Sequence, residues 1–279
     1  MTGKTKLKRH FWVWVVLIAL GLMILGASVG TVCVTLVQNL VPLPEEYDFL
    51  ASVYLSFFGI DAVVLIFCWL WEKDIFRGML KKGGNTVKML ALGLLAGFVT
   101  NGICILAAWL HGDIHFSVGR FQILYMLAAL VCVLIQSGAE ELLTRGYMLG
   151  ALRDRYPIWV AVAVNSLLFG VLHIFNTGVT VLSIVNIVLV GLAFSLVAVC
   201  FDSLWMCIGI HTAWNFTQNI LFGLPNSGIV SQGSFLHLEA ASDSLFYDVG
   251  FGVESTITAA LVMIALGACA VLLGRKRKA

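Results

Sequence analysis

Charge is what this sequence has least of. Only 11% of its 279 residues are charged while 60% are hydrophobic, against roughly a quarter and a half in soluble domains. That excludes a disordered chain, a basic nucleic-acid binder and an ordinary cytosolic globule. The formal net charge of +2 is too small to attract acidic partners in bulk. Proline is scarce, at four residues. There is no CxxC or finger spacing, no HExxH, no internal repeat, no low-complexity tract and no separate soluble domain. The seven cysteines (Cys33, Cys68, Cys104, Cys132, Cys200, Cys207 and Cys269) all fall in apolar runs, where small soft packing residues are the ordinary reading, and no disulfide is expected.

What is present is length of apolar run. About 20 helical residues cross about 30 Å of hydrocarbon. Eight stretches qualify, roughly 11–37, 49–71, 88–110, 121–151, 157–175, 179–201, 203–223 and 251–274. Backbone in lipid must satisfy its own hydrogen bonds, so these predict helices, and the ten-residue alternation of a β-barrel is missing. The expected fold is all-α, an eight-transmembrane-helix bundle with an intramembrane polar cavity. Its expected parts are an N-terminal segment 1–10, a membrane domain 11–274 and a basic tail 275–279.

The basic residues orient that bundle. Lys4, Lys6, Lys8 and Arg9, then Lys73, Arg77, Lys81, Lys82 and Lys88, then Arg145, Arg153 and Arg155, then Arg275, Lys276, Arg277 and Lys278 fall on one side if eight spans alternate; Arg120 falls on the other. The positive-inside rule then places both termini in the cytoplasm of a multi-pass membrane protein. Trp12, Trp14, Trp69, Trp71, Trp109 and Trp159 lie near span ends, where indoles favour the interface. The first apolar run continues to Val37, beyond a signal-peptide core, and reads as a retained span. Residues 224–250 form the longest loop, without Lys or Arg; Phe235, Leu236, Leu238, Leu245 and Phe246 suit either a segment on the membrane surface or a loose connection.

Polar residues inside apolar runs are the first place to look for function, because a mid-membrane charge costs about 2.5–3.5 kcal/mol on insertion scales. In the fourth run, Glu140 and Glu141 point about 100° apart. Glu141 and Arg145 share a face in the favourable order, which leaves Glu140 without a partner on its own helix. A solvated amphipathic extension is the plain alternative. In the fifth run Phe169 and His173 share a face, and in the seventh His211 and Asn215 do. A single intramembrane histidine is usually a packing residue; three helices with polar faces predict a shared wet cavity. Helical rise from the inner boundary puts Glu140 about 20 Å deep, His173 about 24 Å, and His211 and Asn215 about 12 and 18 Å.

These motifs, Glu140-Glu141-x-x-x-Arg145, Phe169-x-x-x-His173 and His211-x-x-x-Asn215, resemble those of the CAAX protease and bacteriocin-processing (CPBP, or Abi) family of intramembrane endopeptidases. All three occur in order, across about a quarter of the chain. The resemblance implies an eight-helix fold with its catalytic region at about 120–222. It implies hydrolysis of a peptide bond in a lipidated or membrane-tethered substrate, such as a prenylated CAAX protein or a bacteriocin leader. Members are usually labelled metalloproteases, and a metal-free, glutamate-dependent mechanism has also been argued.

On that reading Glu140 is the general base, His173 holds the same water and shuttles its proton, and His211 and the Asn215 amide face the oxyanion. Glu141, Arg145 and Phe169 would orient the helices. No cofactor is required in this version. The metal version takes Glu140, His173 and His211 as three Zn²⁺ ligands with an open water position and moves the base elsewhere, to Glu141. Asp61, midway along the second run, suits either a partner across the bundle or a water path. His111 and His115 suit solvated roles, and Asp202 a helix cap. The competing functions are a proton-coupled transporter, which would show repeats, and an inactive immunity or scaffold protein, which would have lost a polar position.

Overall fold

The computed structural model describes residues 11–81 and 83–278, and the side chains of 81 and 275–278 are not described. The expected segment 1–10 and the side chains of the basic tail therefore lie outside the described residues. Long apolar runs close their own backbone hydrogen bonds, and the chain is mostly helical as expected. Helices α1 (Trp12–Leu40), α2 (Glu45–Val53), α3 (Phe58–Trp71), α4 (Lys73–Lys81) and α5 (Val87–His111) come first. Helix α6 (Ile123–Glu141) continues without a break through a π-helical stretch, Leu142–Met148, into α7 (Leu149–Arg153). Then follow α8 (Ile158–Leu172), α9 (Val181–Cys200), α10 (Leu204–Asn215) with a π-helical extension Phe216–Leu221, and α11 (Ile257–Lys278).

Among the described residues six helices are long and apolar enough to cross a membrane: Trp12–Leu40, Glu45–Trp71, Val87–His111, Ile123–Arg153, Val181–Cys200 and Ile257–Gly274. This makes the chain a multi-pass integral membrane protein. The other two expected spans differ for separate reasons. Helix α8 is 15 residues, because the chain turns at His173, whose N–H reaches Gly170 O at 3.1 Å. The α10 helix with its extension carries His211, Thr212, Asn215, Thr217, Gln218 and Asn219, all buried, and these polar residues dilute its hydropathy.

The expectation of an all-α fold needs one correction. Strand β1 (Ile114–Val118) pairs antiparallel with β2 (Leu236–Ala241), running from Ile114 opposite Ala241 to Val118 opposite Leu236, with a bulge at His115/Phe116. The long 224–250 segment is thus no loose connection. Asp113 anchors the strand pair: its Oδ2 accepts from Ser244 Oγ at 2.6 Å and its Oδ1 pairs with His111 Nδ1 at 2.9 Å. Burial pushes the Asp113 carboxyl up, but the Ser244 hydrogen bond and the His111 pairing outweigh it and hold the group below its ordinary value. His111 is half exposed and His115 exposed, as a solvated role requires. Asp202 takes a left-handed φ of 49°, and the cap of α10 is Ser203 instead, whose side chain accepts from Met206 N.

Glycine sets how closely the helices approach. A Cβ on Gly93 or Gly97 would strike the α10 backbone at Met206 or Ile210, and one on Gly59 would strike Gly26 and Gly30 of α1. Without a hydrophobic drive between helices in lipid, such close packing supplies much of the association energy. It brings α10 against α5 and, through the same layer, against α6.

Candidate active site

Each polar side chain owes its direction to a local helix feature. The π-helical stretch after Glu141 rotates the chain, closing Leu149 N–H onto Thr144 O rather than the carbonyl four back; such bulges re-aim side chains. Glu141 is fully buried, and its Oε1 accepts from Arg145 Nη1 at 3.0 Å and from His211 Nδ1 at 2.9 Å. The Arg145 guanidinium is sandwiched, 4.3 Å from the Phe169 ring centroid and 5.4 Å from that of Phe194. A buried cation thus meets a buried carboxylate and two ring faces, which offsets the desolvation that each ion would suffer alone.

Glu140 points elsewhere, as the helical offset demands. It lines a cavity of about 390 Å³. Its Oε1 accepts from Gln136 Nε2 at 2.5 Å, and its Oε2 faces His211 Nε2 at 3.8 Å. Glu140 therefore does have a partner on its own helix, contrary to the sequence reading; Gln136 sits one turn earlier, at the spacing that should have suggested it. Gln136 also accepts from Asn215 Nδ2 at 3.0 Å, so one amide ties the two motif residues together. His173 lines the same cavity, with Nδ1 2.8 Å from Phe169 O. A carbonyl only accepts, so Nδ1 carries the hydrogen and Nε2 keeps the lone pair. The Glu141 carboxylate, which also only accepts, likewise holds a hydrogen on His211 Nδ1.

The structure thus places Glu140, His173, His211 and Asn215 on one cavity, with Phe169 on its wall and Glu141 and Arg145 in the layer behind. Asp61 is not on the cavity. It stands beside Gly138, and its Oδ1 is buried without a hydrogen bond among the described residues. Three residues that sequence reasoning missed join the wall. Glu254, in the turn Gly252–Ser255 before α11, accepts at Oε1 from Trp214 Nε1 (3.1 Å) and Asn226 Nδ2 (3.0 Å), and at Oε2 from the Ser227 backbone N–H (2.7 Å) and Oγ (2.9 Å). Asn226 also donates to Asn215 Oδ1 at 3.3 Å. Asn226 and Ser227 sit in a polar loop, where amides and hydroxyls look ordinary, and Glu254 falls at the very start of the last apolar run.

The apolar remainder of the wall includes Met23, Phe57, Ile60, Leu172, Val190 and Met263. Among the described residues no three His, Cys, Asp or Glu side chains converge as a metal-binding group. Glu141, the base which the metal version needs, is bound to both Arg145 and His211.

Residues 119–217 match the family model described as type II CAAX prenyl endopeptidase Rce1-like. That segment contains all three motifs, so the match bears out the family resemblance read from them. The chain is also 25% identical, over 83% of its length and 86% of the relative's, to the uncharacterized protein YyaK of Bacillus subtilis (strain 168).

Proposed function

We propose, from a chain that resembles the CAAX endopeptidase family over its three motifs, that this protein is an intramembrane endopeptidase. It cleaves a peptide bond in a membrane-tethered or lipidated peptide. The observation that carries the reading is that one acid, two imidazoles and one carboxamide from three separate helices share one cavity. We read α8 and α10 as two further crossings, giving eight, with both termini cytoplasmic.

Gln136 holds Glu140 Oε1, which leaves Oε2 to take the proton of an attacking water. His173 accepts from the same water through Nε2. As water oxygen bonds to the scissile carbon, the carbonyl oxygen gains charge. His211, protonated at Nε2, and the Asn215 amide N–H stabilise that oxyanion. Glu140 then gives its proton to the departing amine, the C–N bond breaks, and the carboxylate is restored. Glu141 and Arg145 hold His211 in register. The apolar wall suits a lipid anchor or apolar side chains of the substrate. No step here is routed through a metal.

The test is cleavage of a quenched, lipidated peptide library by the purified protein and by Glu140→Gln, each with and without a chelator. Turnover by the wild type alone, unaffected by chelation, supports the assignment. Equal cleavage by both proteins refutes Glu140 as base, and activity lost on chelation and restored by Zn²⁺ overturns the metal-free version.

A further inference from the structure

The amides around the cavity form a directed chain with a carboxylate at each end. Ser227 N–H and Trp214 Nε1–H can only donate, and they engage one oxygen each of Glu254. Both oxygens are therefore committed as acceptors. Asn226 must then present its NH₂ group to Glu254 Oε1, and the same nitrogen donates to Asn215 Oδ1. With its oxygen so occupied, Asn215 turns Nδ2 to Gln136 Oε1, and Gln136 turns Nε2 to Glu140 Oε1. No amide in this series can be reversed alone, because each reversal would set two acceptors or two donors against each other.

We propose that Glu254 is a positioning residue of this site: as an ionised, acceptor-only group it fixes the Asn226 end of the relay Asn226–Asn215–Gln136, as the Glu140 carboxylate fixes the other, so that Asn226 keeps its N–H on Asn215 Oδ1 and Asn215 keeps its own N–H toward Gln136 and the Glu140 end of the cavity. The surroundings keep Glu254 in place. Asn186 Nδ2 on α9 donates to Glu254 O at 2.7 Å and to Thr256 O at 2.8 Å. Gly252 has φ +82° and sits against Pro225 O, locking the Glu254 turn to the Asn226 loop. Glu254 lies outside the matched segment 119–217, so nothing in the three motifs requires it. The catalytic consequence rests on the peptidase reading above; the amide order does not.

Glu254→Gln keeps the shape and changes the sense. Ser227 N–H still requires an oxygen, so the new NH₂ faces the Trp214 and Asn226 donors. Asn226 turns its oxygen to that NH₂, while the Glu140 carboxylate still requires an N–H from Gln136; the two ends then demand opposite senses, and the relay breaks where Asn226 sets its oxygen against Asn215 Oδ1. The experiment records side-chain amide spectra of ¹⁵N-Asn/Gln-labelled protein in nanodiscs, with Asn85, which donates to Met79 O in another part of the fold, as internal control. In Glu254→Gln the Asn226 and Asn215 signals move and the Asn85 signal stays. In the peptide assay kcat falls about 10–100-fold, below the full loss of an oxyanion donor, with KM within about twofold.

Asn226→Ala, a loop substitution, interrupts the same relay and is expected to give the same loss, with no further loss in the double variant. It carries the test if Glu254→Gln does not fold. Unmoved Asn226 and Asn215 signals, an unchanged kcat where the wild type cleaves, or additive losses overturn the proposal. A wild type that cleaves nothing while the signals move as stated leaves the relay standing and removes the peptidase reading.

Discussion

Replacing Arg145 with methionine keeps most of the side-chain volume and removes one charge from a layer where both partners are fully buried. The carboxylate of Glu141 then faces only His211 Nδ1, 2.9 Å away. Leaving one ion of a buried pair uncompensated costs about 3–5 kcal/mol. The guanidinium also sits over the Phe169 and Phe194 rings, at about 0.5–2 kcal/mol for a desolvated contact. A loss of about 4 kcal/mol is therefore expected for the single variant. Glu141→Gln in the same chain removes the stranded charge yet keeps an oxygen for His211 Nδ1, so the double variant should recover about 3 kcal/mol. Reversible unfolding in detergent–SDS mixtures, read as a double-mutant cycle, measures both numbers. A single variant as stable as wild type, or a double variant no better than the single, would refute the reasoning that the ion pair holds this layer.

Gln136→Leu removes the donor to Glu140 and the acceptor for Asn215 at once. Misplacing reacting groups by about 1 Å costs on the order of 100-fold, so kcat should fall by about that factor with KM little changed, as steady-state kinetics would show. At the β1–β2 pair, the folded-state Asp113 value is lowered. Its stabilising contribution is thus complete above the unfolded carboxylate value of about 3.9 and lost as pH falls through the folded value. Amide exchange across β1–β2 should accelerate in the wild type at that acid edge. Asp113→Asn should exchange faster at neutral pH and show no further acid step.

The four residues that the sequence singled out for catalysis were legible because each interrupts an apolar run, where a polar group is costly and conspicuous. Glu141 and Arg145 were legible from their spacing alone. Gln136 obeys the same i,i+4 rule but carries no charge, so nothing drew attention to it. Asn226 and Ser227 were illegible for the opposite reason: they stand in a segment already rich in polar residues, and only contacts across the fold distinguish them; Glu254 stands at the very start of the last apolar run, where an acid resembles an ordinary end residue. The paired strands escaped notice because five or six residues of β1 and β2 lie more than 100 positions apart.

Composition and periodicity by themselves determined that this chain enters a membrane as helices, and which helices carry polar groups, since both follow from solvation of side chains along a single segment. Tertiary structure alone decided where those groups meet. The π-helical turns after Glu141 and Asn215, the early end of α8 at His173 and the glycine-lined approach of α10 to α5 set their directions. Hydrogen-bond direction, too, is a property of the assembled network: an amide has no preferred sense until a neighbour that can only accept, or only donate, imposes one.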